Sequence, residues 1–347
     1  MLLLLACTPP LANADSGGDF GDPYVLRGAQ VVGVGVADVE IADGHIVAVG
    51  AGVRGDLPAV DVSGRWIAPS FIDSHVHLAY LPEADALVDG GIAGAVDLAA
   101  PLSFLAALPG APQVIASGPM VTAIGGYPTR GWGSGGYGIE CADAADATAA
   151  VDTLVKAGAR VVKLPIGDDP ALSSEALVAA ADAAHAAGLK VAAHALGDAD
   201  AATAAAVGVD VLAHTPLEPL AAGTLDAWRG RAVVSTLAAF GGSAGAVGNL
   251  AALRASGVTV LYGTDFGNSR TAGIDPAELT LMRAAGLDGA AILAAGTLVP
   301  AEYWGFADLG AVAPGKAADL LVLDADPTLD PATLGRPVAV YYRGRRR

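Results

Sequence analysis

The chain has 347 residues, more than one hydrophobic core usually organises, and 53% of them are hydrophobic, so one large domain with a smaller one attached is expected. Only 19 Lys and Arg stand against 36 Asp and Glu, and the formal charge of −17 argues against partners such as nucleic acid or anionic lipid. The two cysteines, Cys7 and Cys141, are too few for a disulfide framework.

The chain opens with Met1-Leu-Leu-Leu-Leu-Ala-Cys7, which reads as the apolar tail of a secretion signal ending in a small residue and a cysteine. Leu4, Leu5 and Ala6 before Cys7 resemble a bacterial lipobox. That resemblance implies an exported protein, periplasmic or attached to a membrane through lipidated Cys7, with residues 1–22 as signal and tether. The bland alternative is an unstructured start with a chance cysteine. No later segment reads as a spanning helix of ~20 apolar residues.

From Tyr24 to Trp66, short β-branched runs alternate with Gly and Asp turns, including Asp43-Gly44 ahead of His45-Ile-Val47, which is a hairpin pattern. Ala318 to Leu323 and Val338 to Tyr342 also read as strands, so β structure is expected at both ends of the chain. Between Pro69 and Trp304 the pattern changes to short apolar runs alternating with Ala-rich helical stretches, the order of parallel strands with crossover helices. Eight strands are predicted: Phe71 to His75, Ala95 to Leu98, Gln113 to Ala116, Arg160 to Leu164, Lys190 to His194, Val209 to His214, Ala232 to Leu237 and Thr259 to Thr264. A closed (β/α)8 TIM barrel uses ~250 residues, and about 235 are available here. An open doubly wound sheet is the alternative.

Four of the six histidines, His75, His77, His194 and His214, fall at or beside predicted strand ends. In a barrel that end carries the active site. His75 and His77 are an i, i+2 pair, so on an extended segment both imidazoles face one side and can hold a metal between them. Lys163 closes Val161-Val162 and Asp265 follows Leu261-Tyr-Gly-Thr264, each a polar group where a strand leaves the core. Taken singly these positions mean little; five strand ends carrying ligand-type groups point together to a metal site.

On these residues the chain resembles the amidohydrolase superfamily, near its imidazolonepropionase-like and prolidase-like branches. The matching pieces are Ala68-Pro-Ser-Phe-Ile-Asp-Ser-His-Val-His77, Gly158-Ala-Arg-Val-Val-Lys163, Val191-Ala-Ala-His194, Gly208-Val-Asp-Val-Leu-Ala-His214, Gly263-Thr-Asp265 and Leu309 to Asp319. The resemblance implies a barrel over residues 69–305 and a small β-sandwich made from 23–68 plus 306–347. It also implies one or two divalent ions, zinc suiting the donors best. In binuclear relatives His75, His77 and Asp265 would hold one ion and His194 and His214 the other, with Lys163 bridging as a CO2-derived carbamate. An unmodified Lys163 would favour a mononuclear site. Asp265 would take a proton from the attacking water and deliver it to the leaving group.

Other residues weigh less. His45 and His185 lie away from the strand ends and read as structural, Gly131 to Gly136 reads as a mobile loop rather than a dinucleotide site, and Cys141 has no histidine partner nearby. Tyr127 stands where relatives often carry a histidine after Gly-Gly, so it either hydrogen-bonds the substrate or packs in its loop. Arg130 could bind a substrate carboxylate or lie on the surface. The expected activity is hydrolysis of a small-molecule carbon–nitrogen bond, in an amide, cyclic amide or dipeptide, with lactone or phosphoester hydrolysis open on the same site. Heterocycle deamination is the alternative. It usually places a Glu soon after the fifth-strand histidine, whereas His194 is followed by Ala195-Leu-Gly-Asp198 with no evident substitute.

Overall fold

The structure, a computed structural model, describes residues 22–347, so the expectations for Cys7 and for the tether lie outside the described residues. Strands Tyr24–Val31, Gly35–Ala42, His45–Val49, Ala59–Asp61 and Trp66–Pro69 join Leu320–Leu323, Ala339–Tyr342 and Arg345–Arg346 in one eight-stranded mixed sheet. The two ends of the described chain therefore meet, through antiparallel pairing of Leu320–Leu323 with Trp66–Pro69. The Asp43-Gly44 turn behaves as its residues dictate. Both adopt positive φ, 49° and 74°, which matches the twist of a tight hairpin and sets Ala42 opposite His45. One face buries Leu26, Val39, Ile41, Ile67, Leu320 and Val322.

All eight predicted parallel strands form. They are β1 (Phe71–Val76), β2 (Ile92–Asp97), β3 (Gln113–Ala116), β4 (Val161–Pro165), β5 (Lys190–His194), β6 (Val211–Leu212), β7 (Ala232–Val234) and β8 (Thr259–Leu261). Neighbours in sequence are neighbours in space, and helices cross between most of them. The fold is a TIM-barrel-like α/β fold. The ladder does not run continuously, as a closed barrel was expected to: β1–β3 form one parallel sheet and β4–β8 another. A few backbone bonds cross the seams, among them His77 N–H to the Phe266 carbonyl (2.7 Å). Arg160 N–H donates to the Ala116 carbonyl (3.0 Å), and Ser74 N–H to the Tyr262 carbonyl (2.9 Å). The last strands are short because the chain leaves extended geometry soon after them, with Thr236 at φ 40° and Asp265 at φ 54°.

The crossover helices carry ordinary stop and start signals. Asp143 caps Ala144–Ala157 by accepting from the Ala145 and Asp146 amides, and Gly158 ends it in the left-handed region at φ 94°. Its face of Ala147, Ala150, Val151 and Leu154 packs inward. Between β3 and β4 the chain makes a short parallel pair, Met120–Ala123 with Gly138–Cys141, and the turns at 124–137 join them. As expected, no helix begins at the glycines of 131–136.

Candidate metal centre

The first two ligand candidates are placed by a carboxylate that lies wholly inside the protein. Asp73 on β1 accepts the His75 amide (3.0 Å) and the Thr264 amide (3.1 Å) on Oδ1, and the Thr264 hydroxyl (2.5 Å) on Oδ2. One side chain thus ties the strand bearing His75 and His77 to the segment bearing Asp265. Burial pushes its carboxyl up to about 7 against these bonds. Gly263 is required at the same seam, because a Cβ there would collide with Val234 and come within 3.2 Å of the His75 amide nitrogen. Beyond it, the Asp265 carbonyl accepts the Asn268 and Ser269 amides, which closes a turn and aims the Asp265 carboxylate inward.

The ring nitrogens then converge. His75 Nε2 lies 3.2 Å from His77 Nε2, and Asp265 Oδ1 lies 3.0 Å from the second and 3.6 Å from the first. His75 Nδ1 faces the Ala213 carbonyl at 2.8 Å and His77 Nδ1 the Ala99 carbonyl at 3.4 Å. A carbonyl only accepts, so each Nδ1 carries a proton and each Nε2 is the nitrogen that faces Asp265 and can act as a ligand. Burial, followed by the nearby Lys163, holds His75 well below its usual pKa, so it is the neutral ring this requires. Burial would raise the Asp265 carboxyl, but positive charge at His75, hydrogen bonding and charge from His77, and the Asn268 amide bring it down to about 2, and a metal ion held by the two rings would supply the same charge. With both rings neutral, two lone pairs and a carboxylate oxygen would repel one another unless a cation sat among them. The three residues form a group able to hold a metal ion.

His194 and His214 extend the cluster. Their rings lie 5.0 Å apart, and His214 lies 4.5 Å from His75. His214 Nδ1 is 3.1 Å from the Thr236 hydroxyl. Burial, then neighbouring cationic groups, lowers His194 to about 3 and holds His214 well below the usual range, so these rings too are available as ligands. Lys163 is fully buried in the middle of β4, which runs on to Pro165 rather than closing at the lysine as expected, and its Nζ has no hydrogen-bond partner among the described residues. Burial brings its pKa down to about 7. An amine that is partly neutral and unpartnered at a metal-type cluster is suited to covalent modification.

All six metal-ligand candidates line one cavity of about 240 Å³, together with Tyr127, whose ring stacks on His194 at 4.9 Å. His45 and His185 lie elsewhere: His45 Nδ1 bonds the Asp43 carbonyl and His185 pairs with Asp210. Cys141 is buried with its thiol on the Ile139 carbonyl. Three cavity residues and one carboxylate outside the cavity lining escape the sequence pattern. Trp132 donates its indole N–H to the Tyr127 hydroxyl (2.8 Å) and packs against His77, with 5.1 Å between ring centres. Phe240 packs against His214, and Asn268 Nδ2 donates to Asp265 Oδ1 at 3.1 Å. The fourth feature corrects an expectation. A carboxylate does stand beside His194, but it is Asp168 from the loop after β4, with Oδ2 3.7 Å from His194 Nε2.

A TIM-barrel-like α/β fold that gathers four histidines, a buried strand lysine and an aspartate in one cavity defines a TIM-barrel-like protein with a metal-type site. Residues 244–346 match the model of the amidohydrolase family. Over that segment the chain is similar to the amidohydrolase family. It is 30% identical to an adenine deaminase of Deinococcus radiodurans over 90% of this chain and 61% of that protein, so it spans about three-fifths of that relative's length. Among solved structures, it is similar to a Xaa-Pro dipeptidase with methionine bound in its active site, at a TM-score of 0.80 and 18% identity, over 94% of this chain and 100% of that one. It is also similar to a prolidase complexed with N-methylphosphonate-L-proline, at 0.78 and 23%, over 94% and 99%. At these identities the two structures speak for the fold.

Proposed function

We propose that this chain is a metal-dependent hydrolase of carbon–nitrogen bonds in a small amide, cyclic amide or dipeptide. The observation that carries the reading is the convergence of His75 Nε2 and His77 Nε2 on the Asp265 carboxylate, beside the unpartnered amine of Lys163. His75, His77 and Asp265 would hold one ion, and His194 and His214 a second, to which Lys163, as a carbamate, would add anionic oxygen donors. Imidazole and carboxylate donors suit zinc. Such ions supply electrophilic activation of water and of the scissile carbonyl. Asp265, kept ionised, accepts a proton as the water oxygen bonds to the acyl carbon. It then passes that proton to the leaving nitrogen as the C–N bond breaks. The Tyr127 hydroxyl, pushed up to about 12 chiefly by burial, stays protonated and already accepts from Trp132, so its own O–H is free to donate to the acyl oxygen.

Metal analysis of protein produced with zinc and bicarbonate, beside Lys163→Ala, tests the reading. About two ions per chain in the parent, a large loss in the variant, and release of amine from an amide panel support it. One ion retained in both moves the weight to a mononuclear enzyme. No metal in either sinks it. The Deinococcus relative and the carboxylate of Asp168 beside His194 favour heterocycle deamination as a second reading. Ammonia release from adenine, without hydrolysis of any amide, would establish that reading instead.

The seam bonds support closure of the eight strands into a complete barrel over residues 69–305. The shared terminal sheet supports a β-sandwich of 23–68 plus 306–347. We further infer an exported protein anchored through Cys7, which labelling with a palmitate analogue in parent and Cys7→Ser chains would test. Among the described residues no helix is long and apolar enough to cross a membrane.

A further inference from the structure

Three half-buried aromatic rings, Tyr127, Trp132 and Phe240, line the cavity beside its buried histidines. Each packs on a different one: Trp132 on His77 at 5.1 Å, Tyr127 on His194 at 4.9 Å and Phe240 on His214 at 4.9 Å between ring centres. The rings are held in place by the protein itself. Trp132 donates to the Tyr127 hydroxyl and also packs on Tyr80 and Tyr137, at 5.4 and 5.2 Å. A Cβ at the next residue, Gly133, would come within 2.9 Å of Pro128 and Tyr137, so the chain carrying Trp132 is closely packed there. Phe240 follows the turn whose Leu237 and Ala238 amides Glu278 accepts. Trp132 belongs to the connection between β3 and β4 and Phe240 to the loop after β7, so these rings reach one cavity from strands four places apart in the order of eight.

The rest of the lining is poor in polar groups. Among the described residues that line the cavity, the polar side-chain groups besides the ligand candidates are the Tyr127 hydroxyl, the Trp132 indole N–H and the Asn268 amide. The indole is committed to Tyr127 and the Asn268 nitrogen to Asp265. Met120 and Ala239 complete the wall. A polar end placed there would give up its hydration for few partners, whereas an apolar or flat group gains burial and ring contacts.

We propose that Tyr127, Trp132 and Phe240 form the specificity pocket of this site, so that the preferred substrate carries an aromatic or bulky apolar group beside the scissile bond. The inference rests on the hydrolase reading and narrows it. Among amides, cyclic amides and dipeptides it selects those whose group beside that bond is large and apolar over those in which it is small or polar. Rings already fixed in position lose little freedom when a ligand arrives, which favours affinity.

Hydroxamates grip a metal through one constant head group, so a change of substituent reports on the walls. Calorimetric titration of the zinc-loaded protein at pH 7 with acetohydroxamate, phenylacetohydroxamate and 3-carbamoylpropanohydroxamate tests the pocket without requiring turnover. The phenyl compound is expected to bind roughly tenfold or more tightly than acetohydroxamate. The carbamoyl compound, longer than acetohydroxamate but polar at its end, should stay close to acetohydroxamate. In Trp132→Ala, and separately in Phe240→Ala, the phenyl preference should shrink several-fold while zinc per chain and acetohydroxamate affinity stay as in the parent. Trp132→Phe should keep most of it. Should Trp132→Ala lose zinc, Phe240→Ala carries the same test. The proposal is overturned if the phenyl and methyl compounds bind alike, if the carbamoyl compound binds best, or if variants with intact zinc keep the parent's preference. The phenyl preference without hydrolysis of any amide would sink the hydrolase reading and leave the pocket standing, whereas a parent that holds no zinc sinks both.

Discussion

Glu278 offers a direct test of how burial and backbone donors are balanced next to the cavity. It lies on the helix Pro276–Ala284, fully buried, and accepts the Leu237 amide (3.0 Å) on one oxygen and the Ala238 amide (2.7 Å) on the other. It thereby pins the turn that sets Phe240 against His214, with 4.9 Å between ring centres. Burial pushes its carboxyl from 4.5 up to about 7, although Ser235 and the two amides favour the ionised form. The folded state therefore holds the proton more tightly than the unfolded chain. Its contribution to stability is fully present below about 4.5 and is lost as pH rises through about 7, the reverse of a salt-bridged carboxylate. At about 1.4 kcal/mol per unit, this group alone removes roughly 2–3 kcal/mol between pH 5 and pH 8. Glu278→Gln cannot titrate. It also turns an NH2 toward one of the two amides, which adds a cost of about 1–3 kcal/mol that does not depend on pH. Urea unfolding of both proteins at pH 5 and pH 8, after metal removal, separates the two effects. The variant should be clearly less stable at pH 5, and the gap should shrink by roughly 2–3 kcal/mol at pH 8. A gap that stays constant or widens would refute the assignment of a raised pKa to this carboxylate.

Asp73→Ala strips the acceptor from two buried amides and a hydroxyl at the seam between β1 and β8. It should cost about 3 kcal/mol or more in unfolding experiments and lower metal retention, because His75 and Asp265 lose their common anchor. Gly263→Ala forces a methyl into Val234 and should cost about 1–3 kcal/mol, with Asp265 displaced and metal content reduced. Tyr127→Phe keeps the ring stacked on His194 but removes the donor; kcat should fall on the order of a hundredfold with KM little changed. Chelation of the parent should lower its melting temperature, since an ion at a thousand times its Kd contributes about 4 kcal/mol, and added zinc should restore it. A melting point unmoved by chelator would argue that no ion is held.

The sequence marks the strands because the inside of a parallel sheet demands an unbroken apolar run, so the first polar residue after each run reports where the strand leaves the core. That is why His75, Lys163, His194, His214 and Asp265 are visible as a set before any coordinates, and why the structure gathers them in one cavity. The rule has a blind side. Asp73 interrupts its strand, and the apolar pattern offers no reason for a carboxylate inside a core; the reason is a pair of amides, one of them 191 positions away at Thr264. Trp132 lies in a glycine-rich stretch that reads as mobile, yet its indole N–H and ring contacts bind it to Tyr127 and His77. Asp168 is hidden for a third reason. The acidic neighbour that the deaminase alternative would place just after His194 is absent from that strand end, whereas β4 and β5 pair in parallel with Pro165 opposite His194. A residue three positions beyond Pro165 therefore meets that histidine from the side. Linear spacing finds groups that share a strand end. Groups that reach a site across a parallel pair have to be sought by register, and the residues just beyond the partner strand are where such a search should begin.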